Sequence, residues 1–283
     1  MSKKSSAILT HITLVLTLFS SNPSNAIGIR MPRIIGGTSA PSNAWPWMVG
    51  LVEKNFSVFN GLFCGASLIA EDWALTAAHC VNGNDIDFDV IVDHAQIDVG
   101  GERLTVSKII VHPDYSRVTL DHDIALLKLT SPAQADPIKL LSPHTSQDNA
   151  GKPAVALGWG ALSEVAPRFP LDLQQVNLPL ISNGLCATVM GSIGEGMLCA
   201  GDGLGKQDTC FGDSGGPLIV FDTESQSWRQ AGITSWGFDC AGADTYGVYT
   251  RVKTYAEFIS THLCADNEMP ALASLNLSID GNI

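Results

Sequence analysis

The sequence predicts an all-β fold closed by one C-terminal helix. Short apolar runs recur along the 283 residues, separated by clusters of Gly, Pro, Asn and Asp, as the strands and turns of a barrel or sandwich require. Near the end the period changes, with Val252, Ala256, Ile259 and Leu263 at helical spacing. The chain is long enough for a pair of β domains with a substantial core.

In order, the runs fall at 47–52, 66–69, 104–111, 124–129, 154–158, 174–180, 217–221, 231–235 and 247–252, with the helix from 252 to 263. A polar stretch from 142 to 152, carrying Pro143, Asn149 and Gly151, marks the boundary between two halves. Ahead of the runs, Lys3 and Lys4 precede an apolar segment from Ala7 to Phe19 and then Ser24-Asn25-Ala26. Basic, hydrophobic and small-residue regions in that order predict a secretory signal over 1–26. His11 interrupts the segment, which is short for a membrane span, and no later stretch is apolar enough to cross a bilayer. At the other end, 265–283 contains no Lys or Arg and reads as a disordered appendage or the stub of an anchoring or secretion element, the first being favoured.

Net charge is −12, and the first 33 residues hold Lys3, Lys4, Arg30 and Arg33 with no acid, so a chain trimmed there carries −16. Nucleic acid is therefore excluded as a partner, because phosphate binding needs clustered Lys and Arg. An acidic surface attracts cationic protein substrates and keeps a secreted protein soluble. Seven cysteines in a secreted chain imply disulfides. Sequence alone leaves their pairing open, since even six cysteines allow about 15 pairings.

The chemistry concentrates in Asp208-Thr209-Cys210-Phe211-Gly212-Asp213-Ser214-Gly215-Gly216-Pro217. Glycines around a serine allow a sharp turn and a close approach of backbone amides. The amides of Gly212 and Ser214 can then point at one carbonyl oxygen as an oxyanion hole. Serine needs a general base, and the base needs an orienting partner. Of the seven histidines, His79 in Leu75-Thr76-Ala77-Ala78-His79-Cys80 suits a tightly packed turn. In Asp121-His122-Asp123-Ile124-Ala125-Leu126, an acid at the mouth of a buried strand can be shielded by protein, whereas Asp121 reads as solvated. Three consecutive residues converge poorly on one ion, which argues against metal there.

GDSGG and LTAAHC resemble the nucleophile and histidine motifs of trypsin-like serine proteases of the chymotrypsin family, over about 34–263. That family places the acid directly before Ile-Ala-Leu, which selects Asp123, and the order His79, Asp123, Ser214 is chymotrypsin-like. The resemblance implies two six-stranded antiparallel barrels, at about 34–145 and 152–252, within a protease domain at 34–264 whose closing helix runs over 253–263. It implies the disulfides Cys64–Cys80, Cys186–Cys199 and Cys210–Cys240, with Cys264 left over. Arg33-Ile34-Ile35-Gly36-Gly37 resembles the activation junction: cleavage after Arg33 releases the propeptide 27–33 and frees an Ile34 ammonium for Asp213.

The resemblance also puts Asp208 at the floor of the substrate pocket, matching a substrate Arg or Lys, beside Thr209. Ser235, Trp236, Gly237 and Gly247 supply walls open to a long side chain, and the backbone from Ser235 to Gly237 can pair with substrate as an added strand. Phe211 stands at the rim, Asp239 departs from trypsin itself, and Leu120 lines the pocket for the second substrate residue. No cofactor and no required metal is expected: the region from 90 to 102 lacks acids at several positions of the family's calcium loop, and alternating Asp85, Asp87 and Asp89 read as a solvated strand face. Tyr246 is compatible with a monovalent-cation loop. Expected partners are protein or peptide substrates with Arg or Lys, an activating protease or autoactivation, and protein inhibitors. Asn55-Phe56-Ser57 and Asn276-Leu277-Ser278 match the glycan acceptor pattern, which matters only in a glycosylating host. A protease-shaped binding protein is the rival reading, but such proteins generally lose a triad member or the activation junction, and this chain keeps both.

Overall fold

The computed structural model describes residues 36–83, 86–93, 96–97, 100–161, 169–238, 240 and 242–265. The expected signal segment, the Arg33–Ile34 bond, Asp85, Asp239, the second glycan pattern and the tail from 266 onward lie outside them.

Two closed antiparallel barrels make up the fold. The first comprises β2 (Met48–Glu53), β3 (Leu62–Ala70), β4 (Trp73–Thr76), β5 (Phe88–Val92), β6 (Glu102–Val111) and β7 (Ala125–Leu129). Their order is β2-β3-β4-β7-β6-β5, and β5 returns to pair with β2. The second comprises β8 (Pro153–Gly158), β9 (Gln174–Ile181), β10 (Met197–Ala200), β11 (Pro217–Asp222), β12 (Ser227–Trp236) and β13 (Gly247–Arg251), closed by β8 against β9. A two-residue strand, β1 (Thr38–Ser39), comes first among the described residues yet pairs with β9 of the second barrel. Just before it, a Cβ on Gly36 would overlap the Lys206 carbonyl, and Gly36 has φ +75°. Gly36 is thus docked against residues 206 and 207.

Closure follows from burial. Trp73, Leu68, Leu75, Leu126 and Leu127 are fully buried within the first barrel, and Leu218, Val220, Leu198 and Tyr249 within the second. Each such side chain contributes about 1.5–3 kcal/mol relative to exposure. Short helices fill the connections: α1 (Val58–Gly61), α2 (Ala78–Val81) and α3 (Asn183–Met190). The expected closing helix begins as a 3₁₀ turn, Val252–Tyr255, and continues as α4 (Ala256–Ala265), whose Ile259 and Leu263 are buried.

Candidate active site

Three connections meet between the barrels: the turn from β4 into α2, the segment entering β7, and the loop entering β11. α2 carries His79 and is fixed to β3 by the Cys64–Cys80 disulfide. The His79 amide donates to Asp123 Oδ1 at 2.8 Å, and its Nδ1 lies 2.7 Å from Asp123 Oδ2. Asp123 is completely buried, and its Oδ2 also accepts the Ser235 hydroxyl at 2.5 Å. Thr250 Oγ1, from β13, donates to the Asp123 carbonyl at 2.7 Å. A carboxylate surrounded by donors accepts from the imidazole as well, so Nδ1 carries the proton and Nε2 is left as the basic nitrogen.

The serine loop is held from several sides. Asp213 N donates to Cys210 O at 3.0 Å, Gly216 N to Asp213 O at 2.9 Å, and Gly215 N to Thr234 O at 2.8 Å. Gly65 N, on the first barrel, donates to the Ser214 carbonyl at 2.7 Å. Gly212 and Gly215 have φ +96° and +79°, and a Cβ on Gly215 would overlap Thr76 Oγ1 and the Gly65 carbonyl. Left-handed backbone and contact with the opposite barrel both require glycine there. Cys210 is bridged to Cys240, and Cys186 on α3 to Cys199 on β10.

Asp213, next to the serine, is fully buried. Its Oδ1 accepts the Gly160 amide and its Oδ2 the Cys210 amide, both at 2.8 Å. Burial pushes its carboxyl up from 3.8 to about 7, opposed by those two amides and reinforced by the Asp208 charge. A Cβ on Gly158 or on Gly160 would overlap the Asp213 carboxyl. Gly158→Ala is therefore expected to destabilise the protein by about 1–3 kcal/mol, the cost of overpacking. Tm falls by about 2–4 °C per kcal/mol, and an unchanged melting curve would show that Asp213 does not occupy this hollow.

Beside Ser214 opens a cavity of about 200 Å³ lined by Asp208, Ser235, Trp236, Gly237 and Gly247 among others. Asp208 is 5 % exposed, and its Oδ1 accepts the Thr209 amide at 2.8 Å. A Cβ on Gly247 would come within 3.0 Å of that oxygen, whereas one on Gly237 meets nothing within 4 Å. Thr209 Oγ1 lies 3.2 Å from the hydroxyl of Tyr249, whose titration is pushed well above 10.0 by burial first and then by the Asp208 charge. Phe211 and Phe238 line the same cavity and are largely exposed.

Other expected positions find ordinary roles. Asp87 pairs with Lys54 at 2.6 Å and Asp89 with Arg103 at 3.0 Å. Leu120 is half-buried with φ +54°. Among the described residues Cys64, His79 and Cys80 lie within 4.8 Å of one another, but the two sulfurs are bonded together and supply no thiolate to a metal. Sequence reasoning gave Ser235 only a substrate-facing role and missed its hydroxyl on Asp123. It also missed Gly158 and Gly160, although two glycines around Trp159 are a visible signal of close approach.

The protein-family model described as Trypsin matches residues 34–259. The chain belongs to the trypsin family. Its trypsin-family domain is that of a serine endopeptidase, a hydrolase of peptide bonds. Tryptase of Mus musculus is 37% identical over 283 residues, covering 92% of this chain and 100% of that protein. Serine proteinase stubble of Drosophila melanogaster is 38% identical over 254 residues, covering 82% of this chain and 31% of that protein. Transmembrane protease serine 11G of Rattus norvegicus is 38% identical over 241 residues, with coverages of 82% and 56%. The trypsin-family chain thus spans from 31% to 100% of the length of these three relatives. Among its described residues no helix is long and apolar enough to cross a membrane.

Proposed function

We propose that this trypsin-family protease is secreted as a zymogen and hydrolyses peptide bonds after Arg or Lys. His79 takes the proton of Ser214 as it attacks, Asp123 holds and stabilises the imidazolium, and the acyl group passes through an ester on Ser214. The amides of Gly212 and Ser214 receive the oxyanion. The observation that carries the substrate class is Asp208, a buried carboxyl in the cavity beside Ser214. A long aliphatic stem fills the walls and its cation meets the carboxylate. Secretion is supported by the charge and apolar order of residues 1–26 and by three disulfides. Partners are protein or peptide substrates, an activating protease or a second active copy, and protein inhibitors.

The test is turnover of matched peptide amides ending in Arg, Lys or Phe by protein cut after Arg33. Preference for Phe overturns the pocket assignment. No turnover of any, with Ile34 verified as the amino terminus, overturns the enzyme reading.

Activation is read from Asp213. In the uncut chain its carboxyl is raised from 3.8 to about 7, so its contribution to stability is complete below pH 3.8 and is lost as pH rises through about 7. An Ile34 ammonium favours the charged carboxylate and removes that loss. Arg33→Gln is expected to remain an inactive precursor. Relative to the cut enzyme, its stability deficit opens between about pH 4 and about pH 7.5 and is on the order of 4 kcal/mol when complete. Denaturant unfolding at the two pH values reads this, and equal stabilities at both, or full activity of Arg33→Gln, reject the switch.

A further inference from the structure

Arg229 on β12 is 5 % exposed. A buried guanidinium needs several acceptors to offset its lost hydration. Here Nε reaches Ser225 Oγ at 3.3 Å and lies 3.8 Å from Asp222 Oδ2, while Nη1 is buried with no hydrogen-bond partner. Asp222 is engaged with its own turn: Oδ2 accepts the Ser225 hydroxyl at 2.6 Å and Oδ1 the Glu224 amide at 3.0 Å. Those donors, the Ser225 hydroxyl foremost, together with the Arg229 charge hold its carboxyl below the usual range. The positive charge of Arg229 is thus only partly matched by the protein.

The same residue lines a cavity of about 330 Å³ whose other wall is the connector between the barrels, with Ser142, Thr145, Ser146 and Asn149. Ser142 Oγ accepts the His144 amide at 3.4 Å, and Thr145 Oγ1 accepts the Gln147 amide at 3.2 Å. A hydroxyl that accepts from backbone keeps its own proton for a further acceptor. The cavity therefore gathers a guanidinium, hydroxyls and a carboxamide, a set rich in donors.

We propose that this cavity binds a small oxyanion, a sulfate, phosphate or carboxylate group, with Arg229 as its main partner. Asp222 and Glu224 also line the cavity. Their charge repels an extended polyanion, which restricts the ligand to one compact group. Once bound, it ties the connector at 142–149 to the β11–β12 hairpin and stabilises the folded chain by mass action.

The experiment is titration calorimetry of the full chain with inorganic sulfate, inorganic phosphate and acetate at fixed ionic strength, with thermal unfolding alongside. One saturable site is expected for at least one of them, with Tm rising as it fills. The best binder distinguishes a tetrahedral from a planar group. Arg229→Gln weakens binding by about tenfold or more. Should that variant fail to fold, Ser146→Glu places a carboxylate at an exposed position of the wall and gives the same loss. No saturable binding of any of the three anions overturns the proposal, as does unchanged affinity in Ser146→Glu.

Discussion

Ser214→Ala lowers kcat by about 10⁶-fold on a peptide amide ending in Arg, with a residue of about 10³–10⁴-fold over water left from the oxyanion site and binding. His79→Ala has a similar effect, because a serine without its base is as inert as no serine. The double variant loses little more than either single one, since the two act as a unit. Asp123→Asn loses less, about 10⁴-fold. The physical reason lies in the contacts around Asp123: an amide there offers an N–H where Nδ1 needs an acceptor at 2.7 Å, and the Ser235 hydroxyl competes for its remaining oxygen. Initial rates on purified, processed protein decide the matter. If Ser214→Ala keeps more than a thousandth of the activity, the ester intermediate is wrong.

Asp208→Ser lowers kcat/KM for Arg and Lys substrates by about 10²–10⁴-fold, the loss expected when one partner of a buried charge pair is removed. Turnover of a Phe substrate changes far less, so the ratio of the two rates is the readout. A second effect comes from within the protein. The Asp208 charge helps to raise the Asp213 carboxyl, so its removal lets Asp213 ionise at lower pH. The precursor's loss of stability with rising pH then starts at the same pH but is complete at a lower pH, and is smaller, in Asp208→Ser than in the unaltered chain. An unchanged Arg to Phe ratio would place the substrate side chain elsewhere.

The parts of this site that sequence exposes are those with short-range constraints. GDSGG, LTAAHC and the acid before Ile124 each state their chemistry within a few residues, and the nine apolar runs mark nine of the strands. What escapes is set by distant partners. β4 (Trp-Ala-Leu-Thr) and β10 (Met-Leu-Cys-Ala) are four residues long and buried on every side, so they carry no alternation. β1 has two residues and exists only because β9 offers an edge. α3 has Leu185 and Val189 on its exposed side and so lacks a clean apolar stripe, although Ser182 caps it by accepting the Leu185 amide at 3.2 Å. The hydroxyl of Ser235 meets Asp123 across 112 positions of sequence, a distance over which no local pattern speaks.

The docking of Gly36 against residues 206 and 207 turns the proposed activation into an intramolecular event. Two peptide steps separate Gly36 from Ile34, so after cleavage the ammonium stays within about 9 Å of an anchored Cα. A charged group on so short a leash faces its partner at an effective concentration of millimolar or above. The pairing with Asp213 therefore needs little intrinsic affinity. A free Ile-Ile dipeptide added to the uncut chain, lacking that leash, would have to be supplied at comparable concentration to do the same.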